Sequence, residues 1–183
     1  FLPTSREGIW SLAEALDLPV STVTQRIEAL SEYNPMLGMR GVRLGIAMPE
    51  IYEMQARAIF EATLDASLRG AIITPEIMLP LVSAKREVEL VKSNIDAVAA
   101  AVRTERGMRF NYRLGVMVET PRAALKAGEI AELTDFLSFG TNDLTQMTYG
   151  LSRDDAGRFM GSYVQQGVFT EDPFHTLDAD GVG

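Results

Sequence analysis

Short apolar runs alternate with longer amphipathic stretches from residue 42 onward. The runs at 42–48, 76–82, 114–119 and 136–140 have the length of strands. They are nearly continuous in apolar residues, as in parallel strands covered on both faces. Pro49 suits a first helical turn and opens a helix to about Leu68. Ser83 is expected to cap a long helix to about Thr104, and Pro121 stands in the opening turn of one to about Leu133. After the last run Gly140 breaks the strand, and Thr141, Asn142 and Asp143 can each cap a helix over 144–149. Four strand–helix units in sequence predict an α/β fold with parallel strands in sequential order. A partial (β/α)8 TIM-type barrel, about half of one, fits that pattern.

The first part of the chain lacks this alternation. Leu12, Ala15 and Leu16 recur at helical spacing, Pro19 interrupts, and Val23, Ile27 and Leu30 continue the pattern. Residues 1–34 therefore read as a helical insertion, and 35–183 as the βα units. The two helices could also pass for a helix-turn-helix, which reads DNA with its second helix. Arg26 is the one basic residue on that helix, whereas duplex binding needs several phosphate contacts. A helical insertion is the better reading. Residues 33–41 form a turn-rich loop. The tail, 154–183, reads as short helices and loop with a turn at 172–174.

The chain of 183 residues carries 25 acidic against 17 basic residues, a net charge of −8. That balance disfavours generic binding to nucleic acid or to an anionic membrane. An anionic ligand would need a local arginine cluster or a metal. With 0 cysteines, disulfide and thiolate chemistry are excluded, and a reducing compartment such as the cytoplasm is expected. No run reaches transmembrane length. The ends, Phe-Leu-Pro and Gly-Val-Gly, read as cuts through a longer sequence.

The chemistry gathers where strands end. Backbone N–H groups and the positive end of a helix dipole at 140–143 favour an anion, and Asp143 offers a hard oxygen ligand for Mg2+. Glu119 stands at the end of the preceding strand, so in a parallel sheet both carboxylates reach the same rim. Arg153 lies further along and could reach a phosphate. His175, the single histidine, sits in the turn Asp172-Pro-Phe-His and reads as a surface residue.

The string from Ser138 to Arg153, Ser-Phe-Gly-Thr-Asn-Asp-Leu-Thr-Gln with an arginine eleven residues after Asn142, resembles the second signature of the phosphoenolpyruvate-utilising enzymes. Val116-Met-Val-Glu-Thr-Pro-Arg-Ala-Ala resembles the family's strand motif, and Asn34-Pro-Met-Leu-Gly-Met-Arg40 its substrate-site arginine loop. Met39 stands where family members often have histidine. The family includes dikinases, synthases and enzyme I of the sugar phosphotransferase system, and the wording after Thr145 is closest to the dikinase branch.

The resemblance implies a Mg2+ site on Glu119 and Asp143. Gly140, Thr141 and Asn142 would bind phosphoenolpyruvate or pyruvate together with those carboxylates, and Arg40, Asn142 and Arg153 would be catalytic. Arg43 is expected to form an ion pair at its strand start. The resemblance further implies phosphohistidine and nucleotide-binding domains elsewhere in the parent protein and a homo-oligomer. It also places two further substrate arginines before this stretch, and an acid cysteine after it.

Overall fold

The computed structural model describes residues 2–183. The chain divides into two compact units, Phe1–Arg40 and Gly41–Gly183. In the first, α1 (Arg6–Leu16) and α2 (Val20–Leu30) are joined by a short turn. The Ser5 hydroxyl accepts from the Gly8 N–H at 3.1 Å and caps α1. Asp17, with a left-handed φ of 53°, ends it. Ala13 and Val23 are the buried residues of this helix pair. A 3-10 turn, Pro35–Leu37, follows.

The second unit opens with α3 (Val42–Ala47) and α4 (Pro49–Leu68), then β1 (Glu76–Leu79) and α5 (Lys85–Arg106). Next come β2 (Arg113–Val118), α6 (Pro121–Leu125), α7 (Ala127–Ala131) and β3 (Phe136–Phe139). It closes with α8 (Thr141–Tyr149), α9 (Arg153–Ala156) and α10 (Met160–Gln165). The sheet is parallel in the order β1-β2-β3. Leu79 pairs with Val116 and Val118 with Phe139, so the carboxyl ends of the strands lie at one rim.

The sheet and its sequential order agree with the expectation at 76–82, 114–119 and 136–140. The strand expected at 42–48 is instead the helix α3. Gly41, at φ +59°, starts it, and the Gly45 and Met48 N–H groups donate to the carbonyls of Gly41 and Leu44, four residues back. A short apolar run does not by itself distinguish a buried strand from a buried helical turn. Gly45 and Ala47 dilute its β-branched content, and Gly45 lets the Tyr52 ring lie against the helix, where a Cβ would come within 2.6 Å of it.

Two further expectations are corrected. Ser83 does not cap α5: its hydroxyl and the Ser83 and Ala84 N–H groups all donate to the Glu87 carboxylate, which reaches back over the first turn. The helix expected to run from Pro121 to Leu133 is two short ones, interrupted at Lys126 (φ −112°).

The core lies between the sheet and α4 with α5. Val88, Val91, Ile95, Ala99 and Val102 recur at helical spacing and are all buried. Leu114, Val116 and Val118 of the central strand meet Phe60 and Leu64 of α4 in the same cluster. Phe60 stacks at 4.8 Å from Phe110 and 5.0 Å from Tyr112. Among the described residues no helix is long and apolar enough to cross a membrane.

Candidate functional site

Polar side chains cluster at the carboxyl rim, where a series of side-chain bonds ties the end of β1 to the end of β2. The half-buried Glu119 accepts the Leu81 N–H on Oε1 at 2.6 Å. The Thr120 hydroxyl donates to the Val82 carbonyl at 2.9 Å and accepts from the Ala123 N–H, capping α6. The Arg122 guanidinium reaches the Ser83 carbonyl. Leu81 itself holds φ 56°. For a non-glycine residue this backbone costs about 1–2 kcal/mol and persists only where its surroundings fix it. Here it presents the amide to Glu119.

On the other side Glu119 packs against β3's end. The Gly140 N–H donates to Val118 at 2.9 Å. A Cβ on Gly140 would sit 2.6 Å from the Glu119 Cβ and 3.0 Å from its Oε2. Any larger residue at 140 would displace the carboxylate.

Helix α8 begins at Thr141, earlier than the sequence suggests, with Gly140 as its N-cap. Asn142 and Asp143 therefore stand in its first turn and do not act as caps. The Asp143 carboxylate is favourable there beside the N–H groups of the helix start. Arg153 begins α9; its Nη1 donates to Asn142 Oδ1 at 2.9 Å and its backbone N–H to Gln146 Oε1 at 2.9 Å. An arginine carries only donors, so the Asn142 amide oxygen faces it, and the amide NH2 remains for a ligand's oxygens.

The structure thus brings Glu119 to Gly140, and Asn142 to Arg153, at the carboxyl ends of adjacent strands. Arg40 belongs to the first unit, where it is exposed and its N–H donates to the Gly38 carbonyl at 3.0 Å. Arg43 stands on α3, half-buried, and not at a strand start.

Glu119 follows β2 and Asp143 stands in the first turn of the helix that follows β3, and carboxylate oxygens are of the kind Mg2+ takes. They are hard oxygens and few in number, so water and substrate oxygens complete the octahedron. Among the described residues no group of three or more His, Cys, Asp or Glu is placed to hold an ion. The bare α-carbon of Gly140 is the feature that makes room for Glu119.

Two contributors escaped the sequence reading. Leu81 acts through its backbone, and Thr120 through a bridge to a residue 38 positions away. No local pattern announces either, because each depends on which loops meet at the rim. His175 is exposed, as expected of a surface residue, and lines a pocket of about 150 Å3 together with Thr141, Asn142 and Arg153.

Comparison with known proteins agrees with this geometry. The profile of the PEP-utilising enzymes' PEP-binding domain matches residues 12–182. A pyruvate, phosphate dikinase of Rhizobium meliloti (strain 1021) is 53% identical over 184 aligned residues, which cover 100% of this chain and 20% of that protein. A pyruvate, phosphate dikinase of Giardia intestinalis is 49% identical over 100% of the chain and 21% of its own length. The chloroplastic pyruvate, phosphate dikinase 1 of Arabidopsis thaliana is 51% identical over 96% of the chain and 18% of its own length. The chain spans about a fifth of the length of these curated relatives. With its signature residues gathered at the carboxyl rim and its whole length matched, the chain belongs to the PEP-utilising enzymes, within their PEP-binding domain.

Proposed function

We propose that this chain is part of a pyruvate, phosphate dikinase and carries part of its phosphoenolpyruvate/pyruvate site. The parent reaction interconverts ATP, phosphate and pyruvate with AMP, diphosphate and phosphoenolpyruvate, through a phosphohistidine on another domain. The observation that carries this reading is the meeting of Glu119 with Gly140, and of Asn142 with Arg153, at the ends of adjacent parallel strands. The identity of about half its residues to dikinases along its full length supports the same reading.

The three-stranded sheet is in this proposal a segment of a (β/α)8 barrel. Residues 1–34 form a helical insertion and 35–183 the βα units. The parent protein supplies the nucleotide-binding and phosphohistidine domains, works as a homo-oligomer, and resides in the cytoplasm.

Glu119 and Asp143 would hold Mg2+. When bound, the ion supplies Lewis-acid stabilisation of negative charge on the substrate. The side chains account for the rest. Arg153 fixes the Asn142 amide so that its NH2 donates to phosphoryl oxygens. The N–H of Thr141, at the positive end of α8, favours the same charge, whereas the Gly140 N–H expected to join it is taken by the Val118 carbonyl. Arg40 would act on the substrate from its loop. As the phosphoryl group leaves for the histidine of the other domain, the P–O bond to the enol oxygen breaks and an N–P bond forms. The enolate left behind takes a proton at its methylene carbon to give pyruvate.

Rapid-quench measurement of the two half-reactions in the complete protein tests this reading. Glu119→Ala and Asp143→Ala should abolish phosphoryl exchange with pyruvate and spare phosphorylation of the histidine by nucleotide. If either variant enolised pyruvate at the wild-type rate, the metal assignment would be wrong.

A further inference from the structure

We propose that Thr120 is a positioning residue for Glu119, acting through the backbone of Leu81. The inference rests on the reading of Glu119 as a carboxylate of the phosphoenolpyruvate/pyruvate site, and adds the group that aims it. Thr120 is buried, 6% exposed, and its one hydroxyl is used twice. It donates to the Val82 carbonyl at 2.9 Å and accepts the Ala123 N–H at 3.2 Å. Thr63 is buried too, but it turns its hydroxyl back to the Ile59 carbonyl of its own helix. Thr120 instead joins segments 38 residues apart. It follows Glu119 directly in the chain, and the carbonyl it holds belongs to the residue that follows Leu81.

The turn between β1 and α5 is held at successive peptide groups. The Pro80 carbonyl accepts the Val42 N–H at 2.9 Å. The Leu81 N–H donates to Glu119 Oε1 at 2.6 Å, the Val82 carbonyl accepts from Thr120, and the Ser83 carbonyl accepts from Arg122. Leu81 lies within this series at φ 56°. A leucine enters that left-handed region only where its surroundings over-determine it. The bond from Val42 fixes the chain before Leu81, and the bonds from Thr120 and Arg122 fix it after. Arg122 is exposed and reaches in on a long flexible stem, whereas the Thr120 hydroxyl is buried on a β-branched side chain that is stiff at χ1. Thr120 therefore sets the kink. The kink aims the Leu81 amide, and the amide orients the carboxylate that accepts it, as outer partners orient metal-ligating groups. Removing the hydroxyl takes the donor from the buried Val82 carbonyl, and the turn then shifts to find another. Leu81 relaxes out of the left-handed region, and its amide turns away from Glu119.

The test compares two variants of the complete protein. Thr120→Val keeps the branched shape and loses the hydroxyl; Thr120→Ser keeps the hydroxyl. Hydrogen exchange across residues 81–84, followed by mass spectrometry without any metal, reads the turn. It should be faster in Thr120→Val and unchanged in Thr120→Ser. Mn2+ bound beside pyruvate, read from the relaxation of the pyruvate methyl protons, reads the carboxylate without turnover. Partners that orient metal-ligating groups are worth about 10–100-fold in metal affinity, and Thr120 acts one contact further out, so Thr120→Val should weaken Mn2+ binding by about tenfold. The apparent KM for Mg2+ in the pyruvate half-reaction should rise by the same factor, with a smaller fall in kcat at saturating Mg2+. Thr120→Ser should bind Mn2+ as the wild type does. If Thr120→Val does not fold, Thr120→Cys, whose thiol is a weaker donor in the same place, stands in and should weaken Mn2+ binding in the same sense.

A Thr120→Val protein that binds Mn2+ with wild-type strength and differs only in a lower Tm overturns the proposal, since Thr120 is then a helix cap and nothing more. Unchanged exchange at 81–84, or a Thr120→Ser protein as impaired as Thr120→Val, overturns it too. Glu119→Ala separates this inference from the reading beneath it. If Glu119→Ala loses the Mn2+–pyruvate signal while Thr120→Val keeps it, the inference alone fails. If Glu119→Ala keeps both that signal and the pyruvate half-reaction, the reading of Glu119 fails and the inference falls with it.

Discussion

Glu119 is positioned by two neighbours that make no chemistry of their own. Leu81 offers its amide from a left-handed backbone, and Gly140 leaves out a side chain. Gly140 has φ −81°, which any residue can adopt, so its requirement is steric and not conformational. Gly140→Ala should therefore cost about 1–3 kcal/mol by forcing a methyl against the Glu119 Cβ. In the complete protein it should also depress the pyruvate half-reaction while leaving histidine phosphorylation intact. Denaturant unfolding together with the half-reaction rates checks both, and an unimpaired pyruvate half-reaction would mean that the carboxylate tolerates displacement. At the opposite rim, Tyr112 donates to Asp96. Burial first, and then that bond and the charge of Asp96, push the phenol well above its ordinary pKa. Folding thus favours the protonated phenol. Its contribution is complete below the unfolded pKa near about 10 and is lost as pH rises through the folded value. Unfolding free energy should fall as pH rises above that unfolded value, and Tyr112→Phe should make the decline shallower. An alkaline slope identical in the variant would show that Tyr112 titrates alike in both states.

At the scale of elements, α4 and α5 cover the sheet, and Phe60 sits at their junction with β2. It is 0% exposed and touches two further aromatic rings. Phe60→Ala should cost about 3–5 kcal/mol, since the rings around it cannot collapse fully into the space; chemical denaturation monitored by circular dichroism measures it. The strands around this core were legible because Leu114, Val116 and Val118 sit in a run that admits only burial. Helix α5 was legible from its periodic valines and alanines. Helix α3 was not, since Val42 to Ala47, apolar but for Arg43, is too short to show a period; only Gly41's positive φ and Tyr52's place against Gly45 reveal it. The start of α8 was misplaced for a related reason. Asn142 and Asp143 are strong capping types, yet Gly140 serves as the cap, which leaves Asn142 to engage Arg153. Gly140, Thr141, Asn142, Asp143 and Arg153 stand in one string and Glu119 and Arg40 in two other motifs, so they could be proposed from sequence, whereas the Leu81 and Thr120 contacts arise between segments far apart in sequence.

At the scale of the whole molecule the question is whether so much of a site can work alone. Among the described residues β1 and β3 each pair on one side only, and Phe139, 59% exposed, ends an open edge. Such edges recruit further strands, which in a closed barrel would come from the same protein. The chemistry is equally open. Phosphoryl transfer needs an acceptor held in line and charge stabilisation on the moving group, and misplacement by about 1 Å costs on the order of a hundredfold. This chain has 0 cysteines to serve as the family's enolate acid and 1 histidine, fixed on the tail turn beside Arg153. In the proposed reading these residues include two expected ligands of the metal, and the phosphoryl acceptor is a histidine on another domain. Binding and turnover should therefore separate. The purified chain should take up a phosphoryl-type anion yet release no pyruvate from phosphoenolpyruvate with Mg2+ above a heat-killed control, in a coupled assay sensitive to one turnover. Pyruvate formed in excess of that control, and lost in Asp143→Ala, would show that this rim is a self-sufficient catalyst and that the other domains add only the route to nucleotide.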